Sequence, residues 1–277
     1  MIRHKFKLSL FLVTTLLYVS CQNEDLQESV DPVEQTLTKK AEATLDFLIE
    51  QGYSVHDLKP DFESETFIFG DDIAFPFELK GNLDKNKPNE ETTDQRNQWY
   101  YVGNGVYYSN SRNINYYIER NFPRSLEYEF SWAAYHWSRV SPNINIRRTY
   151  TRSSADILVG AWYSTSDRAW ARAALPSGNG NVGSWLNVNT AKDHEGSSSE
   201  STMALLIHEL GHNLGYLHSD QTEGGRIPGT NGPGYHAANN CGSVMKSSVY
   251  VCNWRISSNP GWSYDDRTAI NWAYGLY

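Results

Sequence analysis

Residues 197–220 read SSSESTMALLIHELGHNLGYLHSD, and this stretch carries the strongest sequence signal for the fold. It predicts a helix whose two ends are both marked in the sequence. Ser197 and Glu200 have the spacing of a capping box, which is typical of a helix start. Gly215 predicts the C-terminal end, because glycine accepts the left-handed backbone angles with which many helices stop.

Three histidines in this stretch have the spacing of a metal site. Helical geometry places His208 and His212 on one face, one turn apart, where two imidazoles can share one ion. The turn at Gly215 lets His218 swing back as a third ligand. Three neutral imidazoles suit zinc held tetrahedrally at roughly 2.0–2.1 Å, and the open fourth position takes water, as in catalytic sites. A structural zinc is the weaker interpretation, because such sites have four protein ligands and favour cysteine.

The pattern His208-Glu209-x-x-His212-x-x-Gly215-x-x-His218 resembles the zinc signature of the metzincin metallopeptidases. Met245, in Ser243-Val-Met, resembles the methionine of the turn that forms a floor under the metal in that family. The resemblance implies an α+β fold of the zincin/metzincin type. Its parts are a mixed, twisted β-sheet, a zinc-binding active-site helix, and a C-terminal subdomain that contains the Met-turn.

Further details resemble the dual-action HEIGH metallopeptidases of bacteria. These details are HSD at 218–220, the segment from Arg226 to Thr230, and the tail GWSYDDRTAINWAYG at 261–275. Leu210 stands where that family has Ile, and Leu217 where it usually has Arg, but neither departure touches the chemistry. Matrixin-like and astacin-like metzincins are the near neighbours. An astacin-type tyrosine ligand is not supported, because no Tyr stands two residues after Met245.

The metzincin resemblance implies a zinc-dependent endopeptidase with one catalytic Zn²⁺ and a protein or peptide substrate. Glu209 lies about a quarter-turn round the helix from His208, so it can serve as general base on metal-bound water without becoming a ligand. We expect a monomer whose substrate lies extended along an exposed sheet edge, with Val182–Val188 as the predicted edge strand. No ligand cluster supports a calcium site. The alternative is a non-catalytic surface binding protein on a metzincin scaffold, against which the intact Glu209 argues.

Five residues outside the motif have two interpretations each. His194 and His236 could line the cleft, but we expect both to lie on the surface. Asp220 either supports a zinc ligand through a hydrogen bond or is an ordinary turn residue. Cys241 and Cys252 are expected to form a disulfide in an exported protein, and a pair of free thiols is the alternative.

Residues 1–20 have the form of a signal peptide. Basic residues precede an apolar run from Leu8 to Val19, which is short for a bilayer span. Tyr-Val-Ser-Cys at 18–21 resembles a bacterial lipobox, which implies lipidation of Cys21 and membrane attachment through its acyl chains. An ordinary cleaved signal is the alternative. We therefore expect an exported lipoprotein of the bacterial cell envelope, in the outer membrane, with the cell surface as an open alternative.

Composition and charge exclude several classes of protein. Hydrophobic residues make up 39% and aromatic residues 13% of the chain, so a disordered composition is excluded. The formal net charge is −8. Loss of residues 1–20 would lower Lys plus Arg from 24 to 21 against 32 Asp plus Glu, giving a charge of −11. Such a surface argues against nucleic acid as a partner, and against an anionic membrane surface.

After the signal, the sequence divides into a tether at 21–34, a small N-terminal region at 35–80, a polar linker at 81–98 and a catalytic domain at 99–277. Predicted elements are helices at 35–51 and 124–139 and strands at 66–69, 73–77, 115–118, 143–150, 155–159 and 182–188.

The small N-terminal region contains a motif that bears on latency. Phe69-Gly-Asp-Asp-Ile73 resembles the astacin prosegment motif Phe-x-Gly-Asp-Ile, in which the aspartate caps the zinc. Asp72 is therefore a candidate latency ligand and the region a candidate prosegment. A solvated turn is the alternative, and whether the region is cleaved off stays open.

Overall fold

A computed structural model of the chain describes residues 36–50, 52–79, 99–101, 108–177, 180–194, 199–220, 225–227, 243–247 and 262–275. From Leu37 onward these residues belong to one compact unit. Among the described residues, no helix has the length and apolar character needed to cross a membrane.

The described helices are α1 (Lys39–Glu50), α2 (Tyr108–Ser111), α3 (Glu127–Val140), α4 (Ser199–Asn213) and α5 (Tyr264–Tyr274). A 3-10 turn at Arg124–Leu126 leads into α3, and a second lies at Arg152–Ser154. α3 ends where Ser141 takes an extended conformation. The physical reason is Pro142, because the residue before a proline is disfavoured in the helical region.

The described strands are β1 (Leu58–Asp61), β2 (Thr66–Phe69), β3 (Ile73–Pro76), β4 (Trp99–Tyr101), β5 (Ile114–Ile118), β6 (Ile146–Arg148), β7 (Ile157–Trp162), β8 (Ala171–Ala174), β9 (Trp185–Asn189) and β10 (Gly225–Ile227). Eight of them form a sheet in the order β1-β2-β3-β8-β9-β7-β5-β6, and β4 pairs with β10. β9, β7, β5 and β6 are parallel, whereas β8 runs antiparallel to β9. The predicted α+β class with a mixed sheet is confirmed.

The larger core lies between one face of the sheet and helices α3, α4 and α5. Alternate strand residues point into it, such as Ile157 and Val159 of β7. From the helices come Phe130 and Trp137, both fully buried, and most of α4. The zinc-motif helix is thus held on both sides, by the sheet and by α3.

A second core belongs to the N-terminal region, where α1 packs on β1, β2 and β3. Tyr53 makes edge-on aromatic contacts with Phe69 and Phe75 at centroid distances of 4.9 and 5.1 Å. Leu175 and Leu217, from later in the chain, complete this core. β3 pairs with β8 in parallel, so strands β1 to β3 continue the same sheet.

The prediction that Val182–Val188 forms an exposed edge is wrong. β9 begins at Trp185 and lies between β7 and β8, with hydrogen-bonded partners on both sides. The strand beyond it is β8, Ala171–Ala174, for which the sequence carries little signal, because it contains no β-branched or aromatic residue. The outer side of β8 is covered by β3.

Candidate metal centre

Helix α4 places the motif in the interior. Every residue from Thr202 to Asn213 is buried. On the α3 side, the indole Nε1 of Trp137 donates a hydrogen bond of 2.9 Å to the carbonyl of Ile207, one residue before His208. The helix is therefore fixed against α3 at the position where the metal-site residues begin.

The turn after α4 brings the third histidine back. Gly215 has φ +101°, a left-handed conformation that residues with a side chain rarely adopt, so glycine is required there. Asn213 fixes the end of the helix to the sheet by donating to the carbonyls of Ala174 and Trp185, each at 2.9 Å. The chain then passes through Tyr216 and reaches His218, which is 2% exposed.

Three imidazole nitrogens converge. His208 Nε2 lies 3.0 Å from His212 Nε2 and 3.2 Å from His218 Nε2. Ligand atoms about 2.0–2.1 Å from a tetrahedral zinc lie about 3.3 Å from one another, so these separations suit one ion. The structure therefore brings the three histidines together, as their spacing in the sequence predicts.

The other ring nitrogens explain why the Nε2 lone pairs face inward. His208 Nδ1 donates to the carbonyl of Val244 at 2.8 Å, and His212 Nδ1 donates to the carbonyl of Tyr216 at 2.7 Å. With the proton on Nδ1, each Nε2 is an unprotonated metal ligand. Burial, with His208 and His218 close by, holds the pKa of His212 well below its ordinary value, so this imidazole stays neutral.

Asp72 of the N-terminal region is the fourth group of the cluster. Its Oδ2 lies 3.1 Å from His218 Nε2 and 3.6 Å from His208 Nε2. Ligand atoms of Asp72 and the three histidines lie within 4.8 Å of one another. Burial alone would raise the pKa of the Asp72 carboxyl, but the adjacent histidines, His218 first among them, bring it well below the ordinary value. Asp72 is thus held as a carboxylate against the imidazoles rather than in a solvated turn.

Glu209 lies beside this cluster without joining it. Its carboxylate is fully buried, and neither oxygen has a hydrogen-bond partner within the described part of the chain. Burial and the negative charge of Asp72 raise the pKa of Glu209 well above its ordinary value, an effect that Arg172 partly offsets. A buried carboxylate without a hydrogen-bond partner can accept a proton or a hydrogen bond from a substrate or from water.

The residues 243–247, here called the methionine turn, contact the site through the Val244 carbonyl, which accepts the hydrogen bond from His208 Nδ1. Met245 is fully buried, and its backbone is fixed from both sides. Its N–H donates to Ser243 Oγ at 3.0 Å, and its carbonyl accepts from the Ser219 N–H at 2.8 Å. The Met245 side chain lies against Gly211, because a Cβ added at Gly211 would overlap Met245 Sδ and lie 2.9 Å from Cε.

Asp220 holds the same turn and does not contact a histidine in the described structure. Its carboxylate accepts from the Ser247 N–H at 3.0 Å and from Ser247 Oγ at 2.7 Å. Neither sequence interpretation of Asp220 describes this role. The carboxylate ties the loop after His218 to the end of the methionine turn.

His194 is not on the surface, so that expectation is wrong. The residue is 7% exposed. Its Nε2 donates to the carbonyl of Asn189 at 2.9 Å, and Trp170 packs edge-on against the ring. Burial lowers the pKa of His194. It is a core residue of the loop between β9 and α4.

Asp266 of helix α5 is a site residue that the sequence analysis missed. It is fully buried, and its carboxylate accepts from Ser243 Oγ of the methionine turn at 2.8 Å. It also closes a capping box with Ser263 at the start of α5. The spacing Ser263-x-x-Asp266 is the signal that could have found the helix start.

Several predicted residues lie outside the described part of the chain. They are Cys21, Ser197, His236, Cys241 and Cys252. Lipidation and the disulfide therefore stay predictions.

The comparisons with known proteins give distant similarities only. No protein family and no curated protein matches the sequence. A structure of myroilysin is 17% identical over 58% of this chain and 79% of that chain, with a TM-score of 0.37. A crystal structure of myroilysin is 16% identical over 51% and 56%, with a TM-score of 0.29. High choriolytic enzyme 1, a hatching-enzyme zinc-protease from the medaka fish Oryzias latipes, is 16% identical over 48% and 56%, with a TM-score of 0.26.

Proposed function

We propose that this chain is a zinc-dependent endopeptidase of the metzincin type, most like the bacterial HEIGH metallopeptidases. The observation that carries the proposal is the convergence of His208, His212 and His218 through their Nε2 atoms beside the buried, unpartnered carboxylate of Glu209. The inward lone pairs of His208 and His212 repel one another unless a cation lies between them. Imidazole ligands without cysteine, and with a place left for a fourth ligand, fit a catalytic zinc.

In this proposal the histidines bind the metal and Glu209 moves protons. Zinc, when bound, lowers the pKa of its water towards about 7 and polarises the scissile carbonyl. Glu209 accepts the proton of the attacking water. The same carboxyl then donates the proton to the leaving amine. Met245 and the turn around it form the floor under the ligands.

The substrate site follows from the sheet. An extended peptide can be bound by adding a strand to a sheet edge. β8 lies next to α4, which carries His208 and His212. Without the N-terminal region, β8 would be the edge of the sheet. β3 now occupies that position, with the Ala173 N–H donating to the Asp72 carbonyl at 3.0 Å and the Leu175 N–H to the Ala74 carbonyl at 2.9 Å.

We therefore propose that the full chain is latent. β3 takes the place of a substrate strand, and the Asp72 carboxylate would be a fourth ligand of the metal in place of water. The second core around Tyr53 and Phe75 holds β3 in place. Export, lipidation of Cys21 and attachment to the cell envelope are part of the same proposal and rest on the sequence alone.

The test uses the purified full chain, a matched sample in which the N-terminal region has been cleaved off by limited proteolysis, and unfolded casein as substrate. We expect one zinc per chain in both samples, and faster cleavage after removal of the N-terminal region. A chelator should abolish cleavage, and added Zn²⁺ should restore it. Bound zinc without cleavage in either sample would contradict the proposal and favour the binding-protein alternative.

A further inference from the structure

We propose that Asp266 is a positioning residue for the metal centre, acting through the methionine turn on the orientation of His208. It touches neither the histidines nor the Glu209 carboxylate in any described contact. The inference rests on the proposed function, because it assigns Asp266 a role in holding a ligand of the proposed zinc.

Asp266 joins α5 to the methionine turn. Asp266 Oδ1 accepts from Ser243 Oγ at 2.8 Å and from the Val244 N–H at 3.3 Å, and Oδ2 lies 3.4 Å from the same N–H. All these atoms are buried, so water cannot replace the carboxylate as an acceptor. Without Asp266, the Val244 N–H and the Ser243 hydroxyl would lose their acceptor in the interior.

The methionine turn also contacts His208. The peptide unit that follows Val244 presents the carbonyl that accepts from His208 Nδ1 at 2.8 Å. That hydrogen bond sets both the tautomer and the ring angle of His208, and such bonds tune metal affinity. Ser243 Oγ also accepts from the Met245 N–H at 3.0 Å, so one hydroxyl joins the Asp266 carboxylate to the turn on both sides of Val244.

Asp266 also has a second role, which is to cap the start of α5. Asp266 Oδ2 accepts from the Ser263 N–H at 2.8 Å, and the Asp266 N–H donates to Ser263 Oγ at 3.0 Å. These two bonds cap the helix and do not reach the methionine turn. The other end of α5 is fixed separately, by the Tyr274 hydroxyl, which donates to the carbonyl of Leu214 at 2.6 Å. Loss of the Ser263 side chain alone should therefore leave the turn in place.

The experiment compares three variants of the full chain with wild type at pH 8. Asp266→Ala removes the cap and the contact with the methionine turn. Ser263→Ala removes only the cap bond and is the matched control for loss of helix stability. Ser243→Ala removes the turn side of the contact and leaves the cap intact. For each protein, the dissociation constants of Zn²⁺ and Co²⁺ are measured by competition with a chelator, and the absorption spectrum of the Co²⁺ protein is recorded.

We expect Asp266→Ala and Ser243→Ala to weaken Zn²⁺ binding by about tenfold, the lower end of the range seen when the partners of metal ligands are removed. Both should also alter the visible spectrum of bound Co²⁺, because that spectrum reports ligand geometry. Ser263→Ala should bind metal within about twofold of wild type with an unchanged spectrum, although its unfolding midpoint falls. If Asp266→Ala does not fold, Ser243→Ala alone decides the question.

The outcomes separate this inference from the proposed function. Wild-type affinity and spectrum in Ser243→Ala, or equal effects of Asp266→Ala and Ser263→Ala, would overturn the positioning role and leave the zinc site intact. A wild-type chain with no affinity for Zn²⁺ or Co²⁺ would overturn the proposed function and the positioning role with it.

Discussion

Gly211 occupies the place where the zinc-motif helix meets the methionine turn, and Gly211→Ala tests that contact. Glycine in a helix interior is normally unfavourable by about 1 kcal/mol relative to alanine. At Gly211 the missing side chain leaves room for Met245, since an added Cβ would overlap Met245 Sδ and approach Trp137 Cζ2 to 3.3 Å. Both neighbours are fully buried.

The expected magnitude is the difference between two opposing effects. Overpacking a buried site costs about 1–3 kcal/mol. The gain in helix propensity from Gly to Ala returns about 1 kcal/mol. Because Met245 and Trp137 have no solvent-exposed space into which to move, we expect a net loss of about 1–2 kcal/mol. In a domain of this size, each kcal/mol of lost stability lowers Tm by roughly 2–4 °C.

The assay is urea unfolding of the metal-free protein, in the presence of a chelator, for wild type, Gly211→Ala, Met245→Ala and the double variant. Met245→Ala alone should cost about 2–5 kcal/mol, because it leaves a cavity. In that background the alanine at 211 has room, so Gly211→Ala should become neutral or stabilising. The coupling free energy between the two sites should be about 1–3 kcal/mol, the difference between the effects of Gly211→Ala in the two backgrounds. A Gly211→Ala variant that is more stable than wild type, with no coupling to Met245, would refute the packing role of Gly211.

Three further predictions concern other residues. Asp72→Ala should raise cleavage by the full chain about 10- to 100-fold, the effect of losing one hydrogen bond to a charged group. Asp71→Ala, at the neighbouring exposed carboxylate, should leave cleavage unchanged, and equal rates in the two variants would contradict the latch. Trp137→Phe should lower the unfolding free energy by about 1 kcal/mol through loss of the bond to the Ile207 carbonyl, measured by urea unfolding, and an unchanged value would contradict this. Burial raises the pKa of Asp266 to about 7, so the folded chain keeps a proton that the unfolded chain loses above about pH 4, and stability falls as pH rises through that window. Asp266→Asn should therefore reduce the slope of unfolding free energy against pH by up to about 1.4 kcal/mol per unit between pH 4 and 7; an unchanged slope would contradict the shifted pKa.

The parts of the molecule that could be predicted from the sequence depend on short-range spacing. The convergence of His208 and His212 follows from the helical period, and the return of His218 follows from a turn that only glycine makes readily. The strand at Thr66–Phe69 and the helix of α3 follow from local apolar patterns in the same way. In each case the deciding residues lie within a few positions of one another.

The parts that could not be predicted depend on contacts between distant segments. The order of the strands in the sheet is such a property, so β9 was expected at an edge and lies in the interior, while the alanine-rich β8 was not expected at all. Gly211 has its role only because Met245, 34 positions later in the sequence, packs against it. Asp72 reaches His218 across 146 positions, and only the resemblance to a prosegment motif indicated it.

In the proposed mechanism, Glu209 is the general base beside a zinc held by three histidines. The most direct test compares Glu209→Ala with Glu200→Ala, a loss of an exposed carboxylate from the same helix. Zinc content and casein cleavage are measured on the same samples after removal of the N-terminal region. We expect both variants to keep one zinc per chain, Glu200→Ala to cleave like wild type, and Glu209→Ala to lose cleavage. Cleavage that persists in Glu209→Ala with zinc bound would contradict the role of Glu209 as general base.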